Sequence, residues 1–225
     1  MLVLPVESAT RAAYVHHVGV TDLLQAWCEL LARHTAAPSA TEVGERLLAR
    51  WAEPHRQYHD LSHLRGILLA CDDLAGYATD PDAVLLAAWY HDAVYAGQPD
   101  DEEMSARLAE SELSALQVPP ALVAEVARLV RLTVSHDPQP DDANGKVLSD
   151  ADLAVLALPS EQYQANTAKV RAEYGHVTDA EFKSGRAKII GALLSAPSLF
   201  RTDYARRLWE TLARKNLAAE RDSLD

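Results

Sequence analysis

Residues 83–92 read AVLLAAWYHD, an apolar run that ends in a histidine and an aspartate. A surface helix carries a polar face, and this run has none, so it predicts a helix in the middle of the core. Such a helix delivers His91 and Asp92 to the edge of a buried region. Because an unpartnered buried charge is costly, a pair of this kind usually ends on a metal, a salt bridge or a hydrogen-bond network.

The composition around this run limits the partners of the protein. The chain has 225 residues, of which 48% are hydrophobic and 24% charged, as in an ordinary globular protein. Its formal net charge of -12 argues against a nucleic-acid polymer as partner, because tracking a phosphate backbone requires a basic stripe. A small anionic substrate stays compatible with this charge, since a local pocket with a cation can override the global field.

Compartment and membrane association follow from the cysteines and the apolar runs. Cys28 and Cys71 are far apart and lie in helical contexts, which indicates reduced core residues in a cytoplasmic protein. No apolar run approaches the roughly 20 residues that a membrane span needs. The opening residues MLVLPV lack the basic start of a signal peptide. We therefore expect a cytoplasmic protein with no membrane partner.

Apolar residues recur at helical spacing through most of the chain, and no β-alternation rises above noise. This pattern predicts an all-α, multi-helix protein with one continuous core and a single domain at residues 21–225. Residues 1–20 show little periodicity and are expected to form a poorly ordered or domain-flanking arm. The polar loop at residues 138–145 is expected to be exposed, and a helix is predicted to begin at Ser149. The last helix is predicted at residues 202–220.

Further side chains of the metal-ligand type lie at the edges of other predicted helices, namely His59 and His63, His136, and Asp150 and Asp152. Together with His91 and Asp92 they offer imidazoles and carboxylates. Two imidazoles and two carboxylates leave open positions on a six-coordinate ion. Such a ligand set suits manganese, iron, nickel, cobalt or magnesium better than structural zinc. A hydrolytic metal needs such positions for a water and a phosphoryl oxygen. The sequence therefore predicts a divalent metal ion as cofactor, and zinc stays open.

Three elements of this pattern, His63, His91-Asp92 and Ala151-Asp152-Leu153, resemble the HD superfamily of metal-dependent phosphohydrolases. The likeness goes beyond this minimal motif, because further stretches resemble a bacterial group of predicted HD-type phosphohydrolases over most of the chain after about residue 23. It is carried by RQYHDLSH at 56–63, WYHDAVY at 89–95, DEEMSA at 101–106, RAEY at 171–174, Gly185-Arg186 and ARKNL at 213–217. The resemblance implies an HD-domain-like helical bundle with a metal site between helices, and it is nearly silent on the substrate.

By position, the resemblance implies that His63, His91, Asp92 and Asp152 are the metal ligands. Asp152 is preferred because the last aspartate of the family typically follows a small residue and precedes an apolar stripe, as in Ala151-Asp152-Leu153. Asp150 stays the alternative ligand.

Other residues are expected to act on the substrate. His59 occupies the place of the histidine that protonates the leaving oxygen in the related cyclic-nucleotide phosphodiesterases, although a capping or solvated histidine fits the sequence as well. His136 could hold the scissile phosphate, or a second ion in a binuclear site. Glu102 or Glu103 could orient the attacking water, although both also suit a helix N-terminus. The candidate contacts to substrate phosphate are Arg56, Lys169, Arg171 and Arg186.

The sequence thus predicts a metal-dependent phosphohydrolase, either a phosphomonoesterase or a phosphodiesterase, that acts on a small phosphorylated metabolite through metal-activated water. A nucleotide is the preferred substrate. Two alternatives stay open: a non-catalytic module that binds metal or nucleotide, and a di-iron oxygenase on the same scaffold, which needs more histidine ligands. A homodimer also stays open.

Overall fold

The computed structural model describes residues 20–224, in which eleven α-helices, two short 3-10 helices and no β-strand confirm the all-α class. The α-helices are α1 (Val20–Leu31), α2 (Ala40–Trp51), α3 (Leu61–Leu74), α4 (Pro81–Tyr90), α5 (Asp101–Ala115), α6 (Pro120–Leu132), α7 (Ala143–Leu153), α8 (Ser160–Glu173), α9 (Asp179–Ser195), α10 (Asp203–Leu208) and α11 (Glu210–Leu224). The 3-10 helices are Ala75–Tyr77 and Ala154–Ala157. Apart from Val20, the predicted arm at residues 1–20 lies outside the described residues. Within them, no helix combines the length and the apolar character that crossing a membrane requires.

Helix α4 is the central element of the fold, as the run at residues 83–92 predicts. It contacts α3, α5, α6 and α7, and it is buried from Ala83 onward except at Leu85. Its start is fixed locally, because the Asp80 side chain accepts a hydrogen bond from the backbone N–H of Ala83 at 3.0 Å and Pro81 opens the first turn. Its end places His91 and Asp92 between its neighbours.

Buried apolar side chains form two clusters, whereas the sequence predicts one continuous core. The larger cluster draws on α1 to α7, and the smaller one contains Leu156, Tyr163, Phe200 and Leu217. Trp209 packs against both. The reason for the division is the polar character of the later helices: along the whole of α8, Tyr163 is the one residue that is fully buried.

Two helix boundaries differ from the sequence prediction. Helix α7 begins at Ala143, so the segment from Ser149 is its end and not its start. The polar residues before it form a cap, because the Asp142 carboxylate accepts a hydrogen bond from the backbone N–H of Gly145 at 2.8 Å. The predicted last helix is two helices, α10 and α11, which meet at Trp209.

Candidate metal centre

Three helices of the larger apolar cluster have ends that meet at one place. His63 lies in the first turn of α3, His91 and Asp92 follow α4, and Asp152 lies in the last turn of α7. These three helices contact one another in pairs. Asp60 fixes the start of α3, since its carboxylate accepts hydrogen bonds from the backbone N–H groups of Ser62 at 2.8 Å and His63 at 3.2 Å.

The side chains from these ends converge. His63 Nε2 lies 3.2 Å from His91 Nε2 and 3.3 Å from Asp152 Oδ1, and His91 Nε2 lies 3.8 Å from the same oxygen. The ligand atoms of His63, His91 and Asp152 all lie within 4.8 Å of one another, so this group could hold a metal ion. Asp92 Oδ2 lies 3.0 Å from His91 Nε2 and 3.7 Å from His63 Nε2. The structure thus brings together the four residues that the resemblance implies as ligands.

The hydrogen bonding of His91 fits a metal ligand. His91 Nδ1 lies 2.9 Å from the carbonyl oxygen of Ala88, which can only accept, so Nδ1 carries a proton and donates it. In the neutral imidazole this leaves a lone pair on Nε2, where the ring faces Asp92, Asp152 and His63. Facing lone pairs at these distances repel one another unless a positive charge lies among them, and a backbone-anchored imidazole is the usual arrangement of a histidine ligand.

The charges of the centre favour a cation. Burial acts against a charged imidazole, but Asp92 and then Asp152 raise the pKa of His91 to about 9. Burial also acts against both carboxylates. Even so, His91 and His59 hold the pKa of Asp92 well below its usual range, and the hydrogen bond from His63 does the same for Asp152. Two ionised carboxylates beside two imidazoles make a place where a divalent cation could replace a proton.

Arg56, a candidate for contact with substrate phosphate, is buried and bonded to backbone carbonyl oxygens. Its side chain is 0% exposed, and its guanidinium donates to the carbonyl oxygens of Asp92 at 2.7 Å, His59 at 3.2 Å and Ala93 at 3.2 Å. Its Nε donates to Glu53 at 3.1 Å. These bonds direct the guanidinium to the backbone, and the expected phosphate contact of Arg56 stays a prediction. Arg56 is a positioning residue for the Asp92 segment.

Glu173, the last residue of α8, holds His59 and was given no role by the sequence. One carboxylate oxygen lies 2.6 Å from His59 Nδ1 and also accepts from the Tyr95 hydroxyl at 3.2 Å. The other accepts three successive backbone N–H groups of residues 57–59, at 3.0, 3.2 and 3.2 Å. Burial opposes the charge, but the hydrogen bond from His59 lowers the pKa of Glu173 to about 2. The one signal in the sequence was the position of Glu173 within the stretch at residues 171–174.

His136 lies on the other side of Asp152. Its Nε2 is 3.3 Å from Asp152 Oδ2, whereas Oδ1 of the same carboxylate faces His63 and His91. The backbone of His136 has φ 49°, a left-handed conformation that is uncommon outside glycine. Its Nδ1 is buried and has no hydrogen-bond partner within the described part of the chain. Asp152 therefore contacts imidazoles on two sides, and the assignment of His136 to phosphate or to a second ion stays a prediction.

Asp150 faces away from these histidines. It is 0% exposed, and its two oxygens accept the backbone N–H groups of Arg201 and Thr202, each at 2.7 Å. The physical reason is helical geometry, because residues two apart on a helix point to nearly opposite sides. Asp152 is therefore the aspartate of α7 that faces the centre, and the preference for Asp152 over Asp150 as a metal ligand stays a prediction.

We expect Asp150→Ala to lower the free energy of unfolding by about 2–4 kcal/mol, because it leaves two buried N–H groups without acceptors. Urea denaturation followed by circular dichroism measures this loss. Metal content should stay at the wild-type value, since the side chain bonds to the loop before α10. An Asp150→Ala protein of wild-type stability that has lost its metal would contradict this assignment.

The two glutamates expected to orient water both lie in the first turn of α5. Glu103 accepts hydrogen bonds from Arg107 at 2.8 Å and from Arg131 at 2.7 Å, which lower its pKa to about 2. The bond from Arg131 joins α5 to α6. Glu102 is half-buried in the same turn. Their proposed role toward water stays a prediction, and the ion pairs of Glu103 give it a structural role of its own.

The remaining candidates for phosphate contact lie on α8 and α9. Lys169 Nζ is 3.1 Å from Ser62 Oγ and 3.4 Å from Asp60 Oδ2, at the start of α3. Arg171 bonds Asp179 and two carbonyl oxygens of the turn after α8. Its guanidinium therefore closes that turn.

A cavity of about 450 Å³ adjoins the centre. His59 and Asp152 form part of its wall, together with residues of α8, α9 and the 3-10 helix Ala154–Ala157. Its volume falls in the range of roughly 300–1,000 Å³ that is usual for small-molecule sites. The candidate metal centre thus has room beside it for the body of a substrate.

The resemblance to the HD superfamily rests on the motifs of this sequence alone. A scan against protein-family models, a search of curated proteins and a search of solved structures each found no match to this chain.

Proposed function

We propose that this protein is a metal-dependent phosphohydrolase of the HD type that hydrolyses a phosphate ester of a small molecule. The observation that carries the proposal is the convergence of His63, His91 and Asp152 within 4.8 Å, in contact with a cavity that can take a substrate. Asp92 adds a second carboxylate to this group. Imidazole and carboxylate donors from separate helices make the borderline-to-hard ligand set of a hydrolytic centre.

His63, His91, Asp92 and Asp152 are the residues that would hold the ion, which is manganese, iron, nickel, cobalt, magnesium or zinc. When bound, a divalent cation supplies a water of lowered pKa and a positive charge for phosphoryl oxygens. The chain fixes the donors before any ligand arrives. The Ala88 carbonyl oxygen fixes the ring of His91. The Trp51 ring packs against both imidazoles, since its centroid lies 5.4 Å from the centroid of His91 and 6.1 Å from the centroid of His63.

His59 is the residue that would give a proton to the leaving oxygen. It lies in the cavity wall, and Glu173 fixes its Nδ1. Burial acts against the imidazolium, but Asp92 and then Glu173 raise the pKa of His59 above its ordinary value. A protonated imidazole is therefore available near neutral pH, as a general acid requires.

A substrate screen tests this function. Metal-stripped protein is reloaded separately with each of the six metals and assayed for products of phosphomonoesters, nucleotides and phosphodiesters. We expect hydrolysis with at least one metal, and we expect His59→Ala to lower kcat about 100-fold while its metal content stays unchanged. His34→Ala is the matched control, because His34 pairs with Asp82 away from the centre and should keep full activity.

Two outcomes would contradict the proposal. Metal-loaded protein that hydrolyses nothing would favour the binding module. Coloured protein with two irons per chain that consumes oxygen would favour the oxygenase, for which His136 and His59 are the additional histidines near the centre.

A further inference from the structure

The wall of the cavity beside the centre is largely apolar. Leu153, Val155, Val170, Phe182, Ile189 and Leu193 line it. Ile189 is 55% exposed and Tyr174, also in the wall, is 41% exposed. Large apolar side chains left open to solvent beside a polar centre indicate a ligand that covers them.

Four of the polar side chains in the wall, those of Arg186, Tyr163, Thr167 and Glu181, already bond within the protein, and the hydroxyl-bearing side chains of Tyr58 and Tyr174 also line the cavity. Arg186 donates to both oxygens of Glu220, at 2.7 and 3.0 Å, and the Tyr163 hydroxyl donates to the same carboxylate. The Thr167 hydroxyl donates to the Tyr163 carbonyl oxygen at 3.0 Å, and Glu181 belongs to the capping box of α9. A ligand that filled this space would meet few groups ready to hydrogen-bond with it.

Arg186, which the sequence makes a candidate for binding phosphate, is paired with Glu220. The two side chains are 17% and 5% exposed, so the pair is largely removed from water. A phosphate could take the Nε and Nη2 donors of Arg186 only by displacing Glu220, which would leave a carboxylate buried without its partner. Glu220 therefore neutralises the positive charge that Arg186 brings to the cavity wall.

We propose that the ester cleaved at this centre carries an apolar alkyl or aryl group, which occupies the cavity while the phosphate lies toward His59 and Asp152. This inference rests on the proposed function and names the substrate class. When an apolar group fills the cavity, the apolar surface of that group and the apolar surface of the wall are both removed from water, which stabilises the complex. A sugar or a second phosphate in the same space would lose hydrogen bonds to water that the wall replaces poorly, with Asn166 as the main amide on offer.

A homologous series of substrates tests the proposal. The value of kcat/KM for n-alkyl phosphates from methyl to decyl should rise about fourfold for each methylene until the cavity is full. 1-Naphthyl phosphate should exceed ribose 5-phosphate and adenosine monophosphate by at least about tenfold. A flat alkyl series, or a preference for the nucleotide over the aryl ester, would overturn the proposal and leave the phosphohydrolase assignment intact.

Two glycines of α9 provide a matched pair of variants. Gly185 lies in the cavity wall and Gly191 does not line it, and a Cβ added at either position meets nothing within 4 Å. Gly185→Leu should lower kcat/KM for decyl phosphate about tenfold and leave methyl phosphate unchanged, because the new side chain takes space from the alkyl group. Gly191→Leu should behave like the wild type on both. Equal effects of the two substitutions would overturn the placement of the alkyl group.

Binding separates failure of this inference from failure of the proposed function. If no ester is hydrolysed, the phosphohydrolase assignment fails, and titration calorimetry with decylphosphonate and methylphosphonate then decides the ligand class. We expect the long phosphonate to bind at least about tenfold more tightly, and Gly185→Leu to remove that advantage. Equal affinities would overturn the inference, whatever the activity.

Discussion

Asp152→Asn should cost the protein its metal while the fold survives. Asp152 supplies one of the three donors that lie within 4.8 Å of one another, and the amide removes the charge at nearly constant volume. Substitution of a residue that only orients a metal ligand typically lowers metal affinity by about 10- to 100-fold. Substitution of a charged ligand itself should therefore lower metal affinity by more than about 100-fold. Elemental analysis of the purified protein and competition with a chelator measure this loss, and hydrolysis of every ester should fall with it.

Asp150→Asn is the control for this experiment, since it makes the same chemical change two residues earlier on the same helix. Its side chain bonds the backbone of Arg201 and Thr202, so its metal affinity should match the wild type. Retention of metal by Asp152→Asn, with a normal circular dichroism spectrum, would show that the ion binds elsewhere. Loss of metal from both variants would point to a general loosening of α7.

Arg56→Ala should lower the free energy of unfolding by about 3–5 kcal/mol, the second large effect that we expect. The substitution removes the donor for three backbone carbonyl oxygens, and it removes packing of the guanidinium over Trp51 and Tyr95, whose ring centroids lie 5.4 and 5.5 Å away. The segment that carries Asp92 should loosen, so metal affinity should fall as well. Chemical denaturation and metal competition measure the two effects.

Two further variants make this result interpretable. Arg56→Lys keeps a charge and one set of donors, so its stability should lie between the wild type and Arg56→Ala. Arg107→Ala breaks a surface pair with Glu103, with side chains 65% and 38% exposed, and should change stability by less than about 1 kcal/mol. An Arg56→Ala protein as stable as Arg107→Ala would contradict the structural role and favour the predicted phosphate contact.

The central helix and the chain order of the centre could be predicted from the sequence. The run at residues 83–92 has no polar face, so burial on several sides was its simplest outcome, and His91 and Asp92 had to lie at the end of that helix. His63 and Asp152 could be singled out as further ligands only because the resemblance to the HD superfamily implies them. Their contact with His91 could not be predicted from spacing, because it depends on how α3, α4 and α7 cross.

Other features depend on contacts between distant parts of the chain. Arg56 resembles a surface arginine in sequence, and only the folded loop surrounds it with carbonyl oxygens. Glu173 is 114 residues from His59, so no local pattern connects them. The choice between Asp150 and Asp152 depended on where α7 begins. The run at residues 141–145 contains turn residues, and it is the cap formed by Asp142 that makes it a helix start.

The position of Glu173 in the chain determines when the surroundings of His59 can form during translation. A growing chain releases His59, His63, His91 and Asp92 from the ribosome well before Asp152 and Glu173. Because synthesis runs from the N-terminus to the C-terminus, the early histidines spend part of synthesis without the carboxylates that complete their surroundings. A nascent chain that ends before Glu173 therefore lacks the acceptor that holds residues 57–59, and the finished geometry can arise only after Glu173 has been added.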